Sequence, residues 1–94
     1  MTPNFEWAEE KARANLRKHK VSFDEAITVF SDPLSVTILD PEPTVGEQRY
    51  IGIGTSDKGR ILVVVYTELG ANIRIISCRK ATRTERRSYE EGTS

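Results

Sequence analysis

Ile61-Leu-Val-Val-Val-Tyr66 is apolar at every position. A strand with one solvated face alternates apolar and polar residues, so an unbroken run of this length, rich in β-branched side chains, reads as a strand covered on both faces. We take residues 61–66 as the centre of a sheet and assign the rest outward. Ser56-Asp-Lys-Gly59 before it and Glu68-Leu-Gly-Ala71 after it are turn sequences. Gln48 to Thr55 and the stretch Asn72-Ile-Arg-Ile-Ile-Ser-Cys78 therefore flank the central strand in an antiparallel meander. In the first of these, Ile51 and Ile53 share one face while Tyr50, Gly52 and Gly54 share the other, where glycine leaves room for a ligand or a bulge.

Leu34, Val36 and Ile38 alternate with Ser35 and Thr37, which predicts a fourth strand with one buried face. The loop Asp40–Gly46, with two prolines, leads out of it. At the N-terminus, Phe5-Glu-Trp7 alternates over three residues and is a candidate fifth, edge strand with Trp7 turned into the core.

Residues 8–19 favour helix, with Ala8, Ala12 and Leu16 as a thin apolar stripe and Lys11, Asn15, Lys18 and His19 on the neighbouring strip. Ser22-Phe-Asp-Glu25 is a capping box opening a second helix, in which Phe23, Ala26, Ile27 and Phe30 fall on one face before Ser31-Asp-Pro33 stops it. Thr82-Arg-Thr-Glu85 is another capping box, opening a helix that runs to about Glu91 with almost nothing apolar except Ala81 and Tyr89. Such a helix is not held by core burial. Two N-terminal helices cover one face of the sheet and little chain remains for the other, which predicts a partner surface or a binding groove. The fold class is α+β: an antiparallel sheet of about four strands, two N-terminal helices on one face, and a C-terminal basic helix.

The 94 residues suit one domain, 1–94. Formal charge sums to zero, but residues 60–94 carry seven Lys and Arg against four Asp and Glu. This excludes a bulk nucleic-acid coat and permits a local anionic site, for which the cluster Arg79-Lys80-Ala-Thr-Arg83-Thr-Glu-Arg-Arg87 is the candidate. Phosphate and an acidic protein partner are both open as its ligand. The single Cys78 reads as a small buried thiol. No leader-like N-terminus and no membrane-length apolar run is present, so a cytoplasmic protein is expected, with no cofactor and no metal.

Several pieces together resemble the BrnT family of type II toxins within the RelE/ParE superfamily: Phe5-Glu-Trp7 with Lys11, Asn15 and Lys18-His19; Val21-Ser-Phe-Asp-Glu-Ala26; Val29-Phe-Ser-Asp-Pro33; Gly46-Glu-Gln-Arg49; Ile53-Gly-Thr-Ser56; and Arg74 through Arg83 with Glu85-Arg86 and Tyr89-Glu90. They span nearly the whole chain in order. The sequence departs at Lys20, where the family commonly has glycine; if that position needs a positive φ, lysine costs about 1 kcal/mol there.

The resemblance implies a RelE-like domain acting as a metal-independent endoribonuclease on RNA. It also implies a cognate antitoxin resembling BrnA, with a ribbon-helix-helix portion, operator DNA being bound only through the complex. Cleavage through the 2′-hydroxyl needs a base, an acid for the 5′-oxygen and stabilisation of charge on phosphorus. His19 is the only histidine, the residue type that titrates near neutrality; its bland alternative is a helix C-terminal residue facing the last carbonyls. His19, Arg49, Arg79 and Arg83 are the catalytic candidates, and Lys11, Arg60, Tyr66 and Lys80 the substrate-binding ones. Glu47 is an alternative base, and Tyr50 an alternative donor or stacking platform. The competing functions are a ParE-like toxin that poisons a protein target, and a non-catalytic module that docks through its basic helix.

Overall fold

The structure, a computed structural model, describes residues 4–41 and 48–92. Glu47 and most of the Asp40–Gly46 loop lie outside them. The elements in chain order are β1 (Asn4–Glu6), α1 (Glu9–His19), α2 (Phe23–Thr28), a 3₁₀ turn (Val29–Ser31), β2 (Val36–Leu39), β3 (Arg49–Thr55), β4 (Ile61–Leu69), β5 (Asn72–Lys80) and α3 (Arg83–Gly92). The strand order is β1-β5-β4-β3-β2, which puts the apolar run of β4 in the centre. Strands β2 to β5 form the antiparallel meander.

Two sheet expectations are corrected. The sheet is mixed, because β1 runs parallel to β5, pairing Asn4 with Asn72 and Glu6 with Arg74. The connection from β1 to β5 spans most of the chain, so no hairpin dictates its direction. β2, expected to be half buried, has all four residues exposed, with Ile38 at 51% and Leu39 at 59%. Among the described residues it pairs with β3 alone, at the far edge, while α1 and α2 pack on β5 and the 3₁₀ turn reaches β3.

Val21, Phe23, Ala26 and Val29 pack on Leu62, Val64, Tyr66, Ile75 and Cys78, and these side chains form the core. Trp7 meets Phe23 edge-on at 5.8 Å between ring centroids, while Phe30, in the 3₁₀ turn, sits between Phe5 and Tyr66. Gly54 is required for close approach, since a Cβ there would lie 2.9 Å from the Val29 side chain and 3.1 Å from the Asp32 carboxylate. Cys78 is 1% exposed, and burial pushes its thiol up to about 12. No helix among the described residues is long and apolar enough to cross a membrane.

The apolar stripe expected on α1 holds at Ala12, which packs against the core, and fails at Leu16. Leu16 is 50% exposed, and Asn15 is the residue of α1 that is buried. β1 stops pairing at Arg74, so the outer edge of β5 would be open beyond it. There the Asn15 amide donates to the Cys78 carbonyl at 2.8 Å and accepts from the Cys78 N–H at 3.0 Å, the pair of bonds a neighbouring strand would make. A further bond to the Val21 carbonyl at 2.9 Å fixes the chain leaving the helix. That exit passes through Lys20, at φ 60°, whose N–H bonds the Leu16 carbonyl; lysine does occupy a left-handed position that glycine would fill without strain.

Asn15→Leu leaves the two Cys78 backbone groups and the Val21 carbonyl without their partner. It should lower unfolding free energy in urea by about 2–3 kcal/mol, whereas Leu16→Ala should cost under about 1 kcal/mol.

Candidate active site

The strand-to-helix junction is built by the second capping box, which forms in both directions. The Glu85 N–H bonds Thr82 Oγ1 at 3.2 Å and Glu85 Oε1 accepts from the Thr82 N–H at 2.8 Å. The same carboxylate takes the Arg79 fork, Nη1 to Oε1 at 2.7 Å and Nη2 to Oε2 at 2.8 Å. Arg79 draws the Glu85 carboxyl down to about 2 against the opposing effect of burial. Nη1 also bonds the Lys80 carbonyl at 3.2 Å. Nε–H and one Nη2 hydrogen remain uncommitted among the described residues, forming a second fork on a guanidinium that is already fixed.

The box at Ser22 forms by half. Glu25 N–H bonds Ser22 Oγ, but the Glu25 carboxylate turns instead to Ser56 Oγ at 2.7 Å and to Arg60 Nε at 2.9 Å, with a second contact to Arg60 Nη2. Arg60, with burial opposing, holds this carboxyl below its ordinary range.

α3 was expected to lack a core anchor, and it has one. Tyr89 is 8% exposed, donates to Asp32 Oδ2 at 2.5 Å and shares a hydrogen bond with Thr55 Oγ1 at 3.1 Å. Burial favours the neutral form of Asp32, but the Thr55 N–H, the Tyr89 hydroxyl and the Leu34 N–H outweigh it and hold the carboxyl below its ordinary range. The helix therefore crosses the end of the sheet from β5 to β3. Beyond it, Ile38, Ile51, Ile53, Val63 and Val65 floor a groove of about 370 Å³ walled by Arg79, Thr84, Glu85 and Ser88. This is the incompletely covered face that the burial pattern of β4 implied.

One face of α1, from Lys11 to His19, supplies the other wall. His19, Lys11 and Lys18 surround a concavity of about 210 Å³ with Ile76 and Ser77. A bulge in β5 shapes it: Val65 pairs with Ser77 and Tyr66 with Ile75, leaving Ile76 as the extra residue. Ser77 lines both this concavity and the groove at Arg79, so the two meet there.

His19 and Lys11 share one concavity with Ser77, and Arg79 shares the groove on its other side. Arg83 is exposed at the first position of α3. Lys80 pairs in register with Leu62 while Arg79 pairs with Val63, so the two neighbours face opposite sides of the sheet. Arg49 lies opposite Thr67 and Ile53 opposite Val63; that four-residue offset along the strand places Arg49 about 13 Å from the Arg79 row. Arg60 is tied to Glu25 and to the Lys20 carbonyl. Tyr66 is 7% exposed, its ring enclosed by Phe30 and stacked on Tyr50, which leaves no face for a base. Sequence reasoning placed Asn15 beside Lys11, Lys18 and His19 but missed its burial against Cys78, and it missed Ser77 and the fixing of Arg79 by Glu85. The capping box marked Glu85, but a box pattern does not say that its carboxylate has a second partner.

A family model described as the ribonuclease toxin, BrnT, of type II toxin-antitoxin systems matches residues 7–85. The 1.1 Å crystal structure of the Brucella abortus ribonuclease toxin BrnT is similar in fold, with a TM-score of 0.63 and 25% identity, covering 87% of this chain and 100% of that one. No curated protein sequence matches.

Glu85 titrates below its unfolded value, so its contribution to stability is complete above about pH 4.5 and is lost as pH falls toward about 2. Glu85→Gln, which retains the cap, should flatten that part of the stability-against-pH curve in urea melts without abolishing it, because Glu25 and Asp32 also titrate below their ordinary values. An unchanged acid limb would remove the Arg79–Glu85 pair as its source.

Proposed function

Because the chain belongs to the BrnT family of ribonuclease toxins of type II toxin-antitoxin systems, we propose that it is an endoribonuclease that cleaves RNA through the 2′-hydroxyl, without metal, and arrests growth in the cytoplasm. One observation carries the reading: the concavity holding His19, Lys11 and Lys18 meets the groove wall holding Arg79 at Ser77. A scissile phosphate over Ser77 would have a titratable imidazole on one side and a fixed guanidinium on the other. His19 takes the 2′-hydroxyl proton as it attacks phosphorus. Arg79 receives the charge that develops on the non-bridging oxygens through its uncommitted fork, and its orientation is set in advance by Glu85. Lys11 and Lys18 add positive charge on the His19 side, while the departing 5′-oxygen, in line across phosphorus from the 2′-oxygen, leaves on the Arg79 side, where the same fork stabilises it and solvent supplies its proton. Arg83 binds the phosphate chain beyond the reacting bond.

The partner in this reading is a cognate antitoxin resembling BrnA, whose ribbon-helix-helix portion carries the complex to operator DNA. The open groove over Ile38, Ile51, Ile53 and Val65 favours a protein ligand on the same side as Arg79. It is also the observation that supports the second reading, a toxin that binds a protein target without cleaving RNA.

Tight-promoter expression in bacteria, with growth and total RNA followed together, tests both. The wild-type chain should arrest growth and fragment RNA. Arg79→Ala and His19→Gln should each reduce cleavage by about two orders of magnitude or more while remaining soluble. Arrest with intact RNA would transfer the function to a protein target.

A further inference from the structure

Building on the ribonuclease reading, we propose that Lys80, Arg86 and Arg60 form a second phosphate subsite, which receives a backbone phosphate of the RNA flanking the cleaved bond, on the opposite side of the sheet end from Arg79. A pocket of about 290 Å³ opens where β4 begins and β5 ends, lined by Gly59, Arg60, Ile61, Lys80, Ala81 and Arg86. Its geometry follows from the ladder. Leu62 pairs with Lys80 and the Ala81 N–H closes the last rung onto the Ile61 carbonyl at 2.9 Å, so Lys80 projects to the side Arg79 leaves. The second turn of α3 then brings Arg86 over the same opening.

Charge in this pocket is not cancelled. Lys80 and Arg86 are exposed and have no acidic partner among the described residues. Arg60 is neutralised by Glu25, but its Nε and Nη2 make those bonds, and both Nη1 hydrogens remain uncommitted among the described residues. A guanidinium fixed by a nearly buried carboxylate is a donor that needs no ordering when ligand arrives. The local backbone does not compete: the N–H groups of Gly59, Arg60 and Ala81 are already bonded within the turn and the ladder. A phosphate fits better than an acidic protein, since a protein interface requires an apolar anchor and only Ile61 and Ala81 are available at the base. One RNA strand passing over the end of β5 would meet Arg79 on one side and this pocket on the other.

The test uses the whole chain and a short single-stranded RNA carrying 2′-O-methyl groups throughout, which binds but cannot be cleaved through its 2′-oxygens. The double variant Lys80→Ala with Arg86→Ala should raise Kd for this RNA about tenfold and reduce the slope of log K against log salt by about 0.7, the value for one single-strand phosphate. On unmodified RNA it should raise KM to the same extent with kcat within about twofold. Should the alanine variant fail to fold by circular dichroism, Lys80→Gln with Arg86→Gln takes its place. Unchanged Kd and salt slope overturn the subsite, as does a fall in kcat at constant KM. Loss of antitoxin affinity with RNA binding intact also overturns it, assigning the pocket to an acidic protein. A wild-type chain that binds the modified RNA and leaves unmodified RNA whole overturns the ribonuclease reading while the subsite stands or falls on Kd alone.

Discussion

The Asn15 amide does for β5 what a neighbouring strand would do, and the placement of α1, with Lys11, Lys18 and His19, against the sheet depends on it. β1 is three residues long and covers only the beginning of the β5 edge. The two bonds between Asn15 and Cys78 close that edge further along and join α1 to the sheet at a defined height. A buried amide with both its carbonyl and its amino group satisfied tolerates little displacement, because any shift leaves polar groups unpaired in the core. His19 is one turn beyond Asn15 on the same helix, and Ser77 precedes Cys78 on the strand. One side chain therefore sets the height of the helix end that carries His19 beside Ser77.

A chain of zero formal charge carries a basic end because its charges are unevenly spread, seven Lys and Arg against four Asp and Glu over residues 60–94, and the acids nearest the sheet end face inward. Glu25 holds Arg60, Glu85 holds Arg79, and Asp32 holds Tyr89. Each of these carboxylates is buried or partly buried, and each positions a donor in place of facing solvent. Lys11, Lys18, Lys80, Arg83 and Arg86 are left exposed around the end of β5 and the ends of two helices, with no acidic partner among the described residues. The same ion pairs that stabilise the sheet end thereby separate two kinds of cation. Arg60 and Arg79 are held and directional, while Lys11, Lys18 and Lys80 are compact charges on flexible stems, suited to a flexible polyanion.

Local signals were legible wherever one period or one short motif carried the information. The unbroken apolar run of β4 identified the central strand and, through its two-sided burial, the groove that α3 only partly fills. Thr82 and Glu85 marked the start of α3, and the turns around β4 fixed the antiparallel meander. On α1 the expected stripe held at Ala12 but not at Leu16, because burial there is also decided by hydrogen bonding: Asn15 enters the core for its amide, and Leu16, the better hydrophobe, is left half exposed. β2 alternates as a half-buried strand does, yet all four of its residues are exposed at the sheet edge, and alternation cannot report how far the covering elements extend.

By itself the sequence determined the element types, the order of the antiparallel strands and the residue types available for phosphate chemistry, because these follow from side-chain period, turn composition and capping within a few residues. Only the tertiary structure decided that β1 is parallel, that His19 and Arg79 approach Ser77 from two sides, and that Lys80 and Arg60 sit behind them with Tyr66 lost to the core. Those outcomes rest on contacts between residues distant in the chain, such as Asn15 with Cys78, Glu25 with Arg60 and Asp32 with Tyr89. A carboxylate or an amide can satisfy itself with any of several partners at similar free energy, and the choice is made by the whole fold.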